Sequence, residues 1–292
     1  MSEPLAGFLA ALALTDTGAR TDEDIFTGPS QYMPGGRVFG GQVLAQSLVA
    51  AARTVPEDRA VHSMHGYFLR PGDVTLPITF AVDRIHDGRS FATRRTQAYQ
   101  SGQPILSMIA SFQDLDPGVE HQEPMPEGLP DPESLPSAAE LLSDLDHPAA
   151  KFWANERAFD IRHIEPAIYL RPDGERRRRQ AIWFRAVGEL PDDPMLHRAA
   201  LAYASDFAIL EPVLRAHGLS WVEPGISVAS LDHAMWWHRE ARADEWLLYL
   251  QESPNAIGGR GLSFGRIYTR DGRLAVTIAQ EGMVRVPDPS GR

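Results

Sequence analysis

The sequence of 292 residues contains no cysteine. That excludes structural disulfides, thiolate metal sites and a cysteine nucleophile; it leaves the redox compartment open, with a cytoplasmic location as the expectation. A basic excess is also missing, since 28 Lys and Arg stand against 39 Asp and Glu, for a formal net charge of -11. Nucleic acid and anionic membrane reward a basic surface, so neither is an expected partner, although a local arginine cluster can still receive an anionic small molecule. No stretch reaches the ~18 apolar residues of a membrane-spanning helix. The opening run from Met1 to Leu14 lacks a basic leader, and Leu5, Phe8, Leu9 and Leu12 recur at helical spacing, which predicts a short amphipathic helix rather than a signal peptide. His62, His65, His233 and His238 lack the tight spacing of metal ligands, so neither a metal nor another cofactor is expected. What remains, 43% hydrophobic and 23% charged, is the composition of a soluble globular protein with ample core, in one large domain or two ordinary ones.

A stretch rich in Pro, Glu, Asp and Ser from about Asp114 to Ala149 reads as a linker, with one helix near Ala138 to Leu145. The blocks on either side share an order of elements. The first runs from a glycine-started helix, Phe39 to Arg53, into strands near residues 61–69, 76–85, 90–100 and 104–113. The second has a helix from Asp193 to His217, then strands near 226–238, 246–253, 262–269 and 273–285. Further strands are predicted before each helix, at Ile25 to Thr27 and Arg179 to Val187. Local echoes, such as His62 to Arg70 against Leu231 to Arg239, point to a duplication. One long helix lying on consecutive antiparallel strands is an α+β layer, and two copies would pair into a larger sheet.

Three polar residues interrupt otherwise apolar faces. Asp206 lies on the helical stripe of Leu196, Ala199, Ala200, Tyr203, Phe207 and Leu210. Such a carboxylate must be paired, neutralised by a raised pKa, or set at a cavity wall. Ser230 follows Ile226 and Val228 on one face of a strand that continues through Asp232, Ala234 and Trp236; Gln280 follows Leu274, Val276 and Ile278. A carboxylate, a hydroxyl and an amide facing one core can hold a water and take its proton. The first half lacks the set: its stripe of Leu44, Leu48, Ala51 and Val55 is apolar, Ser47 or Leu48 falls near the Asp206 position, and Ala110 or Ser111 falls opposite Gln280. Instead it has Gly40 and Gly41 at a helix start, where free N–H groups can meet an oxygen or phosphate. Asp232 and His233 are rival acids that the residues alone do not rank, with a structural hydrogen bond favoured for Asp232. Arg89, Arg94, Arg95 and Arg260 are candidate contacts for an anionic substrate, whereas the run Glu175 to Gln180 reads as a solvated loop.

Several segments in order resemble the acyl-CoA thioesterase II family: Arg37 to Gln46, His62 to Asp73, Asp87 to Arg95, Tyr203 to Asp206, Leu231 to Arg239, Glu245 to Tyr249 and Gln280 to Arg285. The resemblance implies a double hotdog fold, with an N-terminal hotdog over 1–114, a linker over 115–150 and a C-terminal hotdog over 151–292 that carries the catalytic residues. It implies hydrolysis of fatty acyl-CoA to free acid and coenzyme A, with Asp206, Ser230 and Gln280 as the water-activating set and Ser230 standing where the family often has Thr. Gly40, Gly41, Arg89 and Arg260 are the expected substrate contacts. A homo-oligomer, a dimer or tetramer of double hotdogs, is expected as well. A hotdog enoyl-CoA hydratase using an Asp–His pair and a non-catalytic acyl-CoA binder are the alternatives.

Overall fold

The computed structural model describes residues 1–19, 22–142 and 148–286. The first half comprises α1 (Glu3–Leu12), β1 (Thr15–Asp16), β2 (Asp24–Gly28), α2 (Gly40–Ala52), β3 (Ala60–Phe68), β4 (Ile78–Asp87), β5 (Phe91–Gln100) and β6 (Gln103–Gln113). Short helices α3 (Ala138–Leu142) and α4 (Pro148–Asn155) follow, and positions 143–145 of the helix expected there lie outside the described residues. The second half comprises β7 (Phe159–His163), β8 (Arg179–Ala186), α5 (Pro194–Ser205), α6 (Glu211–His217), β9 (Ser227–Ser230), β10 (Asp232–Trp237), β11 (Leu247–Ile257), β12 (Arg260–Thr269) and β13 (Leu274–Arg285).

The strands form one antiparallel sheet in the order β1-β2-β4-β5-β6-β3-β10-β13-β12-β11-β8-β7, with β9 pairing on β13. Its two halves mirror each other, and they join where Met64 of β3 faces Met235 of β10. The twofold that relates the halves passes between His65 and Ala234: Leu69 and Arg70 both donate to the Ile105 carbonyl as His238 and Arg239 both donate to that of Ala275, so Met64 matches His233. Helices α2 and α5 lie together in the concave face. Leu44, Ala45 and Leu48 of one and Ala199, Ala200 and Ala202 of the other are wholly buried. Small residues let the helix axes approach, while each leucine removed from water contributes about 1.5–3 kcal/mol. Gln46 ties α1 to this core by donating to the carbonyls of Ala11 at 2.8 Å and Pro29 at 2.9 Å.

Two elements expected to be continuous are broken. The helix predicted from Asp193 to His217 stops at Ser205 and restarts at Glu211, with Ala208 at φ 57 between them. Pro212 is the cause: in a continuous helix its ring would collide with the carbonyl of residue 208. Asp206 is therefore the cap at the end of α5, not a residue of a helix interior. The strand predicted over 226–238 breaks at Leu231. Ser230 stands opposite Gly282, yet Ala234 stands opposite Ala279, so four steps on one strand face three on the other. This bulge reverses the alternation. His233, Met235 and Trp237 turn into the core, and Asp232, Ala234 and Trp236, expected to share the face of Ser230, turn outward.

Candidate active site

Asp206 reaches from the end of α5 to the start of α2, where its Oδ2 accepts the Gly41 N–H at 2.9 Å. Its Oδ1 accepts from Gln280 Nε2 at 3.0 Å and from Ser230 Oγ at 3.2 Å. The second amide hydrogen of Gln280 goes to Ser230 Oγ at 2.9 Å. The structure thus gathers the three residues that broke the apolar faces, together with one of the two glycines. Burial pushes the Asp206 carboxyl up to about 6, against the pull of the hydrogen bonds from Gln280, Ser230 and Gly41. Tyr203 and Tyr249, the ionisable neighbours whose charge would act on Asp206, have their own hydroxyls pushed upward by burial and stay neutral at working pH.

Gly40 lies hard against the carboxylate. A Cβ there would lie 2.7 Å from Asp206 Oδ2 and 3.0 Å from Phe68 Cζ, so a side chain would displace the carboxylate or the ring. The N-cap residue Phe39 offers no side-chain acceptor, and the Gly40 N–H has no partner among the described residues. It points out of the positive end of α2.

Among the described residues, none of the four arginines bonds Asp206, Ser230 or Gln280. Arg89 is exposed, and its carbonyl accepts from Arg59, which pairs with Asp114. That places it at the Ala60 end of β3, about 25 Å along the strand from Phe68. Arg260 is exposed and donates to Glu281 at 3.1 Å; Glu281 alternates with the inward Gln280, so Arg260 is held on the outer face. Arg94 is buried against Thr54 and Asp87, and Arg95 pairs with Asp83. Asp232 accepts the Glu281 N–H at 2.7 Å, on the outer face. Because Ile105 of β6 corresponds to Ala275 of β13, and His65 pairs with Ile109 as Ala234 pairs with Ala279, Ala110 stands in the place of Gln280, one of the two residues expected there.

Beside the carboxylate lies a cavity of about 360 Å³ lined by Gly7, Ala10, Met33, Phe39, Tyr203 and Phe207, among others. Phe39 directly precedes Gly40 and Phe207 directly follows Asp206, and the two rings stack at 5.1 Å. A larger open groove of about 1430 Å³ runs past the N-terminus and Arg242; neither lining includes Asp206, Ser230 or Gln280, but the smaller cavity is walled by Phe39 and Phe207, the chain neighbours of Gly40 and Asp206.

The same architecture occurs in solved structures, including a protein with a hot dog fold from Alicyclobacillus acidocaldarius (TM-score 0.78, 20% identity, 96% of this chain and 98% of that one). This is a double hotdog. Residues 29–113 match the family model described as acyl-CoA thioesterase N-terminal domain, and residues 154–283 match the model described as acyl-CoA thioesterase. The chain is 41% identical over 280 residues to acyl-coenzyme A thioesterase 8 of Homo sapiens, covering 91% of this chain and 86% of that one. To acyl-CoA thioesterase 2 of Haemophilus influenzae it is 38% identical, covering 91% and 94%. The crystal structure of acyl-CoA thioesterase II TesB2 from Mycobacterium marinum aligns with a TM-score of 0.77 at 42% identity, over 97% of this chain and 98% of that chain. The chain belongs to the acyl-CoA thioesterase II family and is an acyl-CoA thioester hydrolase.

Proposed function

We propose that Asp206 is the general base of this hydrolysis, acting on a water held by Gln280 and Ser230, with a fatty acyl chain lying in the 360 Å³ cavity. The observation that carries the reading is the convergence of three donors on one partly exposed carboxylate whose pKa burial has brought to about 6. A base of that strength can take a proton at neutral pH and return it. Water attacks the thioester carbonyl as its proton passes to Asp206. The oxyanion that forms lies at the start of α2, where the uncommitted Gly40 N–H donates to it. Collapse breaks the C–S bond, and the departing thiolate of coenzyme A recovers the proton from Asp206, leaving the free acid.

The hydratase alternative needs an imidazole beside the acid. His233 is separated from Asp206 by Gln280, and no histidine touches the carboxylate among the described residues. The test is thiol release from acyl-CoA substrates of increasing chain length. Asp206→Asn should lower kcat by ~10² to 10⁴-fold. A folded Asp206→Asn enzyme that keeps more than about a tenth of the rate contradicts the proposal, because the base alone is worth more than that. Acyl-CoA binding without thiol release by the unaltered protein would mark a non-catalytic binder, and hydration of an enoyl-CoA without thiol release would mark a hydratase.

A further inference from the structure

Gln280 gives both amide hydrogens to the site, one to Asp206 Oδ1 at 3.0 Å and one to Ser230 Oγ at 2.9 Å. An ionised carboxylate only accepts, so the nitrogen end of the amide must face it and the oxygen end must face away. That oxygen meets Nδ1 of His233. An amide oxygen has no hydrogen to give, so Nδ1 carries the proton. His233 Nε2 is then an acceptor, 2.9 Å from Ser205 Oγ. His233, Ser205 and Gln280 are all buried, so none of these groups can exchange its partner for bulk water. The series Ser205, His233, Gln280, Asp206 runs from donor to acceptor in one direction and ends on the carboxylate.

The reverse arrangement is also self-consistent. Nε2 would carry the proton and donate to Ser205 Oγ, and Ser205 would donate to the Ala202 carbonyl, 2.9 Å away. Gln280 would then turn its nitrogen toward His233 and its oxygen toward Asp206 Oδ1. Two oxygens would face each other across that gap unless Asp206 were protonated. Asp206 takes up and releases a proton in each turnover, so the carboxylate alone does not hold the amide in one orientation throughout.

We infer that His233 is a positioning residue for hydrolysis, whose Nδ1–H tautomer holds the Gln280 amide with its nitrogen toward Asp206 and Ser230. The inference rests on the reading of Asp206 as the base. His233 acts through Gln280 and touches no reacting atom. Burial pushes the imidazole pKa down to about 4, so His233 keeps one charge state near neutral pH and contributes through its tautomer. The twofold supplies a contrast. Met64 stands in the place of His233 and pairs with Ala110, which stands in the place of Gln280, so the first half has neither the imidazole nor the amide.

The test compares His233→Leu with His233→Asn, whose side-chain nitrogen stands near the Nδ1 position. His233→Leu should lower kcat by ~10 to 100-fold, the usual cost of losing a residue that orients a reacting group, with KM within roughly threefold. The acid limb of the kcat profile should move up from about 6, because a turned amide withdraws a donor from the carboxylate. His233→Asn should recover most of the rate and the original limb. An Asn variant as slow as the Leu variant would mean that packing matters and the donor does not, and a Leu variant with unaltered kcat and pH profile would overturn the inference outright. Should His233→Leu not fold, ¹⁵N spectra of the unaltered protein at pH 8 decide: protonated Nδ1 with bare Nε2 supports the inference, and protonated Nε2 defeats it. Asp206→Asn separates the two levels. If that variant is inactive while His233→Leu is fully active, only the role of His233 falls; if Asp206→Asn is itself active, both do.

Discussion

Asp206 is expected to hold stability and activity in opposition, and one substitution exposes both. Its carboxyl is raised from 3.8 to about 6, chiefly by burial. Below about pH 3.8 the acid is protonated in the folded and the unfolded chain alike, and folding carries no penalty from it. Between 3.8 and 6 the unfolded chain ionises first, so stability falls as pH rises. Above 6 the folded chain holds a buried charge at the full cost. A shift of this size corresponds to about 3 kcal/mol at 1.36 kcal/mol per unit.

Asp206→Asn replaces the ionised group by a neutral one of the same shape, close to the protonated acid. The variant should therefore be about 3 kcal/mol more stable than the parent at pH 8 and equal to it near pH 4. For a chain of this size that is a rise in Tm on the order of 6 °C, disappearing as the pH is lowered. Thermal melts of both proteins from pH 4 to 8 measure the difference directly. The parent's kcat should rise through the same window, with a midpoint near 6, because the form that destabilises the fold is the form that takes the proton. A Tm difference that does not change between pH 4 and 8 would refute the assignment of the strained charge to Asp206, whatever the variant's activity.

Four further outcomes are expected. Gly7 lines the cavity from α1, and a Cβ there meets nothing within 4 Å, so Gly7→Leu should lower kcat/KM for long acyl chains relative to short ones while leaving Tm unchanged or raised, as up to about 1 kcal/mol of helix propensity is gained; equal loss across chain lengths would contradict the cavity's role. Glu211 is buried, which alone would push its carboxyl up, but His163, Arg215 and Trp221 outweigh burial and bring it to about 2. Its stabilisation is then full above 4.5 and lost as pH falls through 2, so Glu211→Gln should cost about 3 kcal/mol at pH 7, and denaturant titrations showing no loss would count against the network. Single-turnover hydrolysis in ¹⁸O water should place label in the released acid and none in Asp206; label in Asp206 would mean direct attack through an anhydride. Finally, Ile109, His65, Ala234, Ala279 and Phe264 stand side by side across five strands on the outer face, and we propose that this row meets a second copy of the chain. Ala279→Glu should then reduce the mass measured by light scattering to that of one chain, and an unaltered mass would rule this face out.

Much of the architecture was legible because it rests on periodicity. The amphipathic α1, the glycine-started α2 and the strand runs in each half are local patterns that burial enforces. Asp206, Ser230 and Gln280 were legible for the same reason, as polar residues out of phase with apolar stripes. The break after Asp206 was also written in the chain, at Pro212, although the stripe through Phe207 and Leu210 hid it. The bulge at Leu231 was not legible, because it is a property of the ladder with β13 and not of either strand. Missing it exchanged the faces of Asp232 and His233, which is why His233 read as a rival acid and not as the partner of Gln280. Where Arg89 and Arg260 would fall was not legible, because a cation in a hairpin says nothing of which end of a strand, or which face of a sheet, the hairpin occupies.

The twofold also explains why a duplicated fold carries the site once. The two helix starts differ in what their N–H groups can still do. At α5 the N-cap Asp193 accepts the Met195 N–H at 2.8 Å, and Pro194 has no N–H at all. That start is closed by its own sequence. At α2 the N-cap is Phe39, which accepts nothing through its side chain, and glycines at both following positions let another chain segment come within hydrogen-bond range. One N–H then goes to Asp206 and the other stays uncommitted. A capped helix is the more stable choice by about 1 kcal/mol, so leaving α2 uncapped is a local sacrifice with a specific return. The carboxylate that completes the site arrives from the other half and serves as the missing cap, which couples the pairing of the two halves to the assembly of the active site.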